Sequence, residues 1–319
     1  MSEKTRIICV VGPTASGKTE LAVRIAQSIG GEVISADSMQ IYKDMHIASA
    51  APDCEEMGGV PHHLLEFLDY KSAFSVADYV ALAREKIDEI ASRGKTPIIA
   101  GGTGLYINSL VDNIEFTEQK TDLELRQRLT EEFDRLGGKV MLDRLAEIDP
   151  GAAQKLHEND KRRIIRAFEI YHSTGLTPSQ NNILSRKSGE VYDAVMIGIT
   201  YADRQKLYDR INLRVDRMLE KGILQEAKEA FLNSEDNRTA GAVQAIGHKE
   251  FFPYFSGESS LEECVEALKQ SSRRYAKRQL TWFNRDTRIN WIYKDTEEDT
   301  AERALQIIKT EERLCENIQ

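Results

Sequence analysis

The run Gly12-Pro13-Thr14-Ala15-Ser16-Gly17-Lys18-Thr19 holds the most legible chemistry in this chain. Its G-x-x-x-x-G-K-T spacing lets backbone N–H groups curl around an anion, Lys18 adds a point charge, and the Thr19 hydroxyl can help hold magnesium. The pattern predicts a site for a diphosphate or triphosphate but does not say which molecule carries it. A second candidate is Asp37, a carboxylate just past an apolar run, which suits either a proton acceptor or a turn. A third is Gly101-Gly102-Thr103-Gly104. A P-loop ATPase or GTPase usually ends that strand with an aspartate that holds magnesium, and its replacement by Gly-Gly-Thr tilts the reading away from nucleotide hydrolysis. Arg210, Arg214 and Arg217 recur at helical spacing, and three cations on one stripe repel unless an anion answers them. Two basic runs remain, Lys161-Arg162-Arg163 with Arg166, and Arg273 to Arg278 with Tyr275, Trp282 and Phe283 nearby. Basic plus aromatic is the composition of a nucleic-acid face, yet a charge run is more often a solvated surface and the aromatics core. If the runs meet phosphates, Arg162, Arg163, Arg274 and Lys277 are the contacts.

These groups need elements to position them. Arg6 to Val11 is a β-branched apolar run ending at a glycine, as a buried parallel strand does. The following helix places Leu21, Ile25 and Ile29 on one stripe and stops at Gly30-Gly31. Residues 31–38 read as a second strand that delivers Asp37 at its C-terminal end, the edge where open parallel sheets bind ligands. Met39 to His63 lacks periodicity and contains Pro52, Gly58-Gly59 and Pro61, which predicts a long functional loop. His62 and His63 are adjacent with no third ligand near, so packing or substrate contact is favoured over metal. Ser75-x-x-Asp78 is a capping box opening a helix with Val76, Val80, Ala83, Ile87 and Ile90 inward. Pro97 to Ala100 is a third strand.

From Asp112 to Gly189 the sequence is charged and helix-forming, with Leu125, Leu129, Phe133 and Leu136 on one helix and Arg162 to Tyr171 on another. Val191 to Thr200 returns to the sheet as a fourth strand, and the next helix buries Leu207, Ile211, Val215 and Met218. Gly241 to Glu250 reads as a loop, Ser260-x-x-Glu263 opens a long helix, and a charged helix after Thr296, with Ala304, Leu305 and Ile308, reads as peripheral. The expected class is α/β, a P-loop parallel sheet core flanked by helices, with a helical insertion domain. The expected divisions are 1–111, 112–189 and 190–319.

Composition narrows the class. The 319 residues are 41% hydrophobic and 30% charged, with a mean hydropathy of -0.46, as in soluble globular proteins. No apolar run approaches a membrane span, and a charged N-terminus leading at once into a core strand predicts no cleaved signal. Cys9, Cys54, Cys264 and Cys315 have no metal-ligand spacing and read as reduced cytosolic thiols. A net charge of -9 argues against non-specific nucleic-acid binding over the whole surface and leaves a local basic patch open.

In order, the motifs GPTASGKT, ISADSMQIY, GVPHHLLE, IIAGGTGLY, KRRIIRAFEI, GAVQAIGHKE and RRYAKRQLTWF closely resemble the bacterial tRNA dimethylallyltransferases. The resemblance implies transfer of the dimethylallyl group from dimethylallyl diphosphate to N6 of the adenosine 3′ of the anticodon in tRNA, releasing diphosphate. It would make Gly12 to Thr19 the diphosphate cradle, Lys18 and Arg214 the neutralising cations, and Thr19 the residue that helps place Mg2+. Asp37 matches the family's general base and Thr103 a residue contacting the substrate nucleotide. Asp37, Ser38, Met39 and Gln40 match the segment that reads the target base. Lys161, Arg162, Arg163, Ile164 and Ile165 match the insertion-domain contact with tRNA, and Arg126 a further RNA contact. A cytoplasmic monomer binding the tRNA anticodon stem-loop, with no membrane role, follows from the same resemblance. The family commonly has lysine where Ala51 stands, tyrosine where His248 stands and arginine where Asn284 stands; the zinc finger of eukaryotic relatives is absent. Two other readings stay open, a P-loop small-molecule or nucleotide kinase and a non-catalytic nucleotide-gated RNA-binding protein. The strand ending in GGTG speaks against the first, and Asp37 beside the P-loop against the second.

Overall fold

The computed structural model describes residues 4–116, 122–186, 189–233 and 245–316, with side chains as far as Glu311. It divides into two compact units, Met1–Val111 with Val191–Gln319, and Asp112–Glu190. The first unit opens with β1 (Thr5–Val11), whose residues from Ile7 onward are fully buried, as in a central strand covered on both faces. Gly17 then takes a left-handed φ of 94° as the N-cap of α1 (Lys18–Ile29), and left-handed Gly30 closes that helix. β2 (Gly31–Ser35) follows, buried throughout. The stretch expected to be a long loop contains a short helix, α2 (His46–Ser49), and a two-residue strand, β3 (His62–His63), paired in parallel with β2. Next is α3 (Val76–Ser92), whose capping box from Ser75 and Asp78 is complete. Its buried stripe adds Tyr79, while Val76, at the first helical position, is partly buried against the same core. β4 (Thr96–Gly101) and α4 (Gly104–Val111) end the first segment.

The second unit is helical, with α5 (Leu123–Leu136), α6 (Gly138–Ile148), α7 (Pro150–Ala153), α8 (Lys161–Thr174) and α9 (Pro178–Leu184). Leu129, Met141, Leu145, Ile164, Ile165 and Phe168 form its core.

The chain returns through β5 (Tyr192–Thr200), then α10 (Arg204–Glu220) and α11 (Ile223–Leu232). After α12 (Phe252–Phe255) comes α13 (Leu261–Phe283), 23 residues opened by a full capping box at Ser260. β6 (Asn290–Tyr293) and α14 (Thr300–Glu316) finish the described chain. All six strands are parallel, in the order β3-β2-β4-β1-β5-β6.

β3 and β6 were not expected, and both are edge strands too short for an apolar pattern to show. β6 also changes the role of α14. Ala301, Ala304 and Ile308 pack with Ile8, Val10 and α1 residues in the core of one sheet face, so α14 is a covering layer and not peripheral. The other face is covered by α3, α4 and Phe283 at the end of α13. Gly241 to Gln244, and the Cys315 side chain, lie outside the described residues.

Candidate active site

Strand order dictates where chemistry can occur. β1 and β2 are separated by β4, so the turns leaving the C-terminal ends of these strands diverge and leave a crevice. An open cleft of 680 Å³ lies there, lined by the Thr14–Thr19 loop, Asp37, Arg214, Tyr275 and Gln279. Every lining residue belongs to the first unit.

The loop is tightly built. A Cβ on Gly12 would stand 2.3 Å from the carbonyl oxygen of Ile199 on β5, so only glycine fits. Ala15 is left-handed, at φ 63°, a strained conformation of the kind found at ligand clamps. Lys18 Nζ donates to Pro13 O at 2.7 Å, which folds the lysine back across the loop. Burial lowers the Lys18 pKa to about 8, with Asp37 pulling it up and Arg214 pushing it down. Arg214 is drawn below the ordinary guanidinium value by burial, opposed by Asp37 and Glu56. Neither cation has an acid within salt-bridge distance among the described residues. A half-buried pair of cations with no ion-pair partner is a site waiting for an anion.

The opposite wall is equally close-fitting. A Cβ on Gly101 would lie 2.2 Å from Ala36 O, because Thr103 N–H donates to that same oxygen at 3.1 Å. The GGTG run therefore lets the ends of β2 and β4 touch. Thr103 Oγ1 accepts from Ser38 N–H at 3.0 Å, and Asp37 Oδ1 accepts from Met39 N–H at 2.9 Å, fixing the segment that carries Asp37. Gln40 is held between Ser35 Oγ and the Ala50 carbonyl. Burial raises the Tyr275 pKa, the Asp37 charge adding to it, while bonds to Thr103 and Gln279 partly offset both. Glu226 accepts from Ile47 and Ala48 N–H at 2.8 and 2.9 Å and pairs with buried His248, so the histidine found in place of tyrosine braces α2 at the cleft wall. Ala51 is buried on the same wall, and Asn284 is the exposed C-cap of α13.

A magnesium ion fits the donor set only in company with an anion. Among the described residues no three His, Cys, Asp or Glu side chains cluster to cage a metal. The chain offers Thr19, with Asp37 in the same cleft, and Ser16 Oγ is buried in the loop with no partner of its own. Magnesium commonly takes one or two protein ligands, with phosphate oxygens and water completing the octahedron.

The proposed RNA contacts separate by exposure. On α8, Arg162 and Arg163 point outward, but Ile164 and Ile165 are buried in the core of the second unit. Two successive helical residues, 164 and 165, sit on the inner face once 162 and 163 take the outer one, so the isoleucine side chains leave the RNA-facing set. Lys161 pairs with Asp134, and Arg126 grips Glu169 through two nitrogens. On α13, Arg274 and Lys277 are exposed and have no acidic partner among the described residues. Arg273 is held by Asn212 and Glu266, and Phe283 is core. Gln279 and Tyr275 were missed as site residues. Their only signal was a helical stripe, Tyr275-Gln279-Phe283 at i, i+4, i+8, inside a run conspicuous for its charge.

The model of the family described as IPP transferase matches residues 40–286, a stretch that starts beyond the phosphate loop. The tRNA dimethylallyltransferase of Acetivibrio thermocellus is 49% identical over 303 residues, covering 95% of this chain and 96% of that protein. That of Bacillus subtilis is 48% identical over 289 residues, 91% of each chain. Among solved structures, a tRNA isopentenylpyrophosphate transferase from Bacillus halodurans is 42% identical, with a TM-score of 0.69, covering 98% of this chain and 96% of that one. A eukaryotic dimethylallyltransferase acting on tRNA aligns with a TM-score of 0.81 at 31% identity, covering 94% of this chain and 78% of that one. Among the described residues no helix is long and apolar enough to cross a membrane.

Proposed function

The chain belongs to the IPP transferase family, and from that premise we propose the donor, the acceptor atom and the residues of its reaction. It is an enzyme that transfers a prenyl group to tRNA. In our reading the donor is dimethylallyl diphosphate and the acceptor is N6 of the adenosine 3′ of the anticodon. The observation that carries this is the unanswered pair Lys18 and Arg214 facing a cleft that also holds Asp37. Attack of N6 on the allylic carbon breaks the carbon–oxygen bond, and its electron pair leaves with the diphosphate. Lys18, Arg214 and the Gly12–Thr19 amides stabilise the charge growing on that leaving group. The attacking nitrogen becomes cationic and loses its proton to Asp37, which Met39 N–H holds in place. Thr103 and the Asp37–Gln40 segment would orient the base, which must leave its stack to enter the crevice. Magnesium would sit with Thr19 and the diphosphate oxygens, supplying further charge neutralisation.

Arg162 on the helical unit and, separately, Arg274 and Lys277 on the first unit would be the primary RNA contacts, with Arg126, Lys161 and Arg163 secondary because acids already hold them. A monomer is part of the same reading, and its tRNA substrate favours the cytoplasm. The test is incubation of unmodified tRNA with dimethylallyl diphosphate or with ATP, followed by mass analysis of the RNA. A prenyl mass on one adenosine, only with the allylic donor, is expected. Robust ATP turnover without prenylation would return the kinase reading.

A further inference from the structure

Gln279 makes contacts out of proportion to its place in a run of surface cations. It is only 5% exposed, on the inner face of α13. Its Oε1 accepts from Thr14 N–H at 2.8 Å, inside the phosphate loop and 265 residues away in sequence. Its Nε2 donates to Gly102 O at 3.0 Å, at the end of β4. Both ends of one amide are thus used, one on each wall of the cleft. Gly102 is shaped to receive it, since a Cβ there would stand 2.2 Å from Nε2. The Tyr275 hydroxyl, one turn earlier, bonds toward Gln279 and Thr103.

From this we infer that Gln279 is a positioning residue that clamps the diphosphate loop against the Thr103 turn, setting the loop's anion-binding shape from the rigid helix α13. The inference rests on the reading that this loop holds the donor's diphosphate. A glycine-rich loop has many conformations open to it, and ordering it at the moment of binding costs affinity. Lys18 ties down the Pro13 carbonyl and Gln279 ties down the Thr14 amide, so the one peptide group joining Pro13 to Thr14 is held at both ends before any ligand arrives. The clamp comes from a helix with a complete capping box whose exposed side carries Arg274 and Lys277. One element therefore serves the donor loop on its inner face and presents cations on its outer face. A residue filling space alone would not require an acceptor and a donor at once, and leucine or methionine would serve there as well.

The test uses the full chain with inorganic diphosphate as probe, titrated calorimetrically, beside steady-state kinetics for donor and tRNA. Gln279→Ala should weaken diphosphate and raise the donor KM by roughly ten- to a hundredfold, the worth of two lost hydrogen bonds, with the tRNA KM changed by less than about twofold. Gln279→Glu keeps the acceptor for Thr14 N–H but, when ionised, turns a carboxylate on Gly102 O. It should be as defective as the alanine variant at neutral pH. Below the pKa of the new carboxyl, its O–H can again donate to Gly102 O, so affinity relative to wild type should recover while the alanine variant stays weak. That recovery is a signature a packing role cannot give. Wild-type diphosphate affinity in both variants would overturn the inference, as would parallel loss of diphosphate and tRNA affinity with no recovery at low pH. Failure of the wild type itself to bind diphosphate would instead overturn the donor reading, and this inference with it.

Discussion

Helices α8 and α13 carry nearly the same run of cations, KRRIIR and RRYAKR, and the fold treats them oppositely. On α8 the charges are largely answered: Lys161 by Asp134, Arg163 by Asp160, Arg166 by Glu169, with Arg162 alone lacking an acid among the described residues. On α13, Arg274 and Lys277 have none, and Arg278 lies over the Tyr275 ring at 5.6 Å. The cleft takes the contrast further, since Lys18 and Arg214 are both half-buried and lack an acid within salt-bridge distance among the described residues. An answered cation must give up its carboxylate before it can grip a phosphate, so part of any gain is spent on the exchange. An unanswered one, buried most of all, is held at a cost that only an anion relieves. Availability, not composition, separates a binding site from a solvated face.

The largest break in that contrast should come at Lys18. Lys18→Ala removes a charge whose contact strengthens as the diphosphate leaves, and kcat should fall by roughly two to three orders of magnitude. A near wild-type rate in single-turnover prenylation would show that Arg214 and magnesium suffice. Asp37→Asn comes next. It keeps the shape and the acceptor for Met39 N–H but removes basicity, and kcat should drop about a hundredfold or more, with tRNA and donor affinities little changed. Loss of tRNA binding with chemistry retained would make Asp37 a recognition residue.

The construction of the cleft was legible in the sequence because it is local. The phosphate loop, the strand ends and the caps at Ser75 and Ser260 are set by residues a few positions apart, and their types declare them. Gln279 was not legible, because its partners lie 265 and 177 residues away and an amide in a basic helix carries no mark of its own. Ile164 and Ile165 entered the RNA set with the whole family-matched segment 161–165, although helical periodicity turns them inward. β6 has four residues and only Ile292 fully buried, so neither it nor the core role of α14 could be read from an apolar pattern.

The depressed Lys18 pKa sharpens the contrast in solution. Free Lys18 loses its proton near pH 8, whereas contact with diphosphate oxygens favours the charged form and raises the bound value. Diphosphate affinity is then fully present below pH 8 and is lost as pH rises from there toward the bound pKa. The affinity should be about tenfold weaker at pH 9 than at pH 7, with proton uptake on binding above pH 8. Calorimetry in buffers of different ionisation enthalpy reads that uptake, and Lys18→Met should abolish it. Affinity flat across this window would mean that burial does not depress the lysine.

The smallest effects belong to the surface, where the two helices can be set directly against each other. If Arg274 and Lys277 meet tRNA phosphates, each change to glutamine should reduce the slope of log affinity against log salt by about one unit. Arg162→Gln should behave alike, as the α8 cation with no acid to surrender among the described residues. Arg126→Gln should move the slope much less, because its guanidinium is already spent on Glu169. Its cost should appear instead in stability. Against burial, which raises it, the bonds from Arg126 and Arg166 hold the Glu169 pKa below the usual carboxylate range. Removing Arg126 leaves Arg166 as the only cation, among the described residues, on a largely buried carboxylate, a loss of about 1 kcal/mol. Because a depressed carboxylate pKa stabilises the fold above its unfolded value, that loss should be present at neutral pH and shrink as pH falls through the Glu169 pKa. Denaturant unfolding at two pH values measures it. A full unit of salt slope lost at Arg126, equal to that at Arg274, would mean that tRNA displaces Glu169, and an ion pair in the free protein would not mark a residue as unavailable.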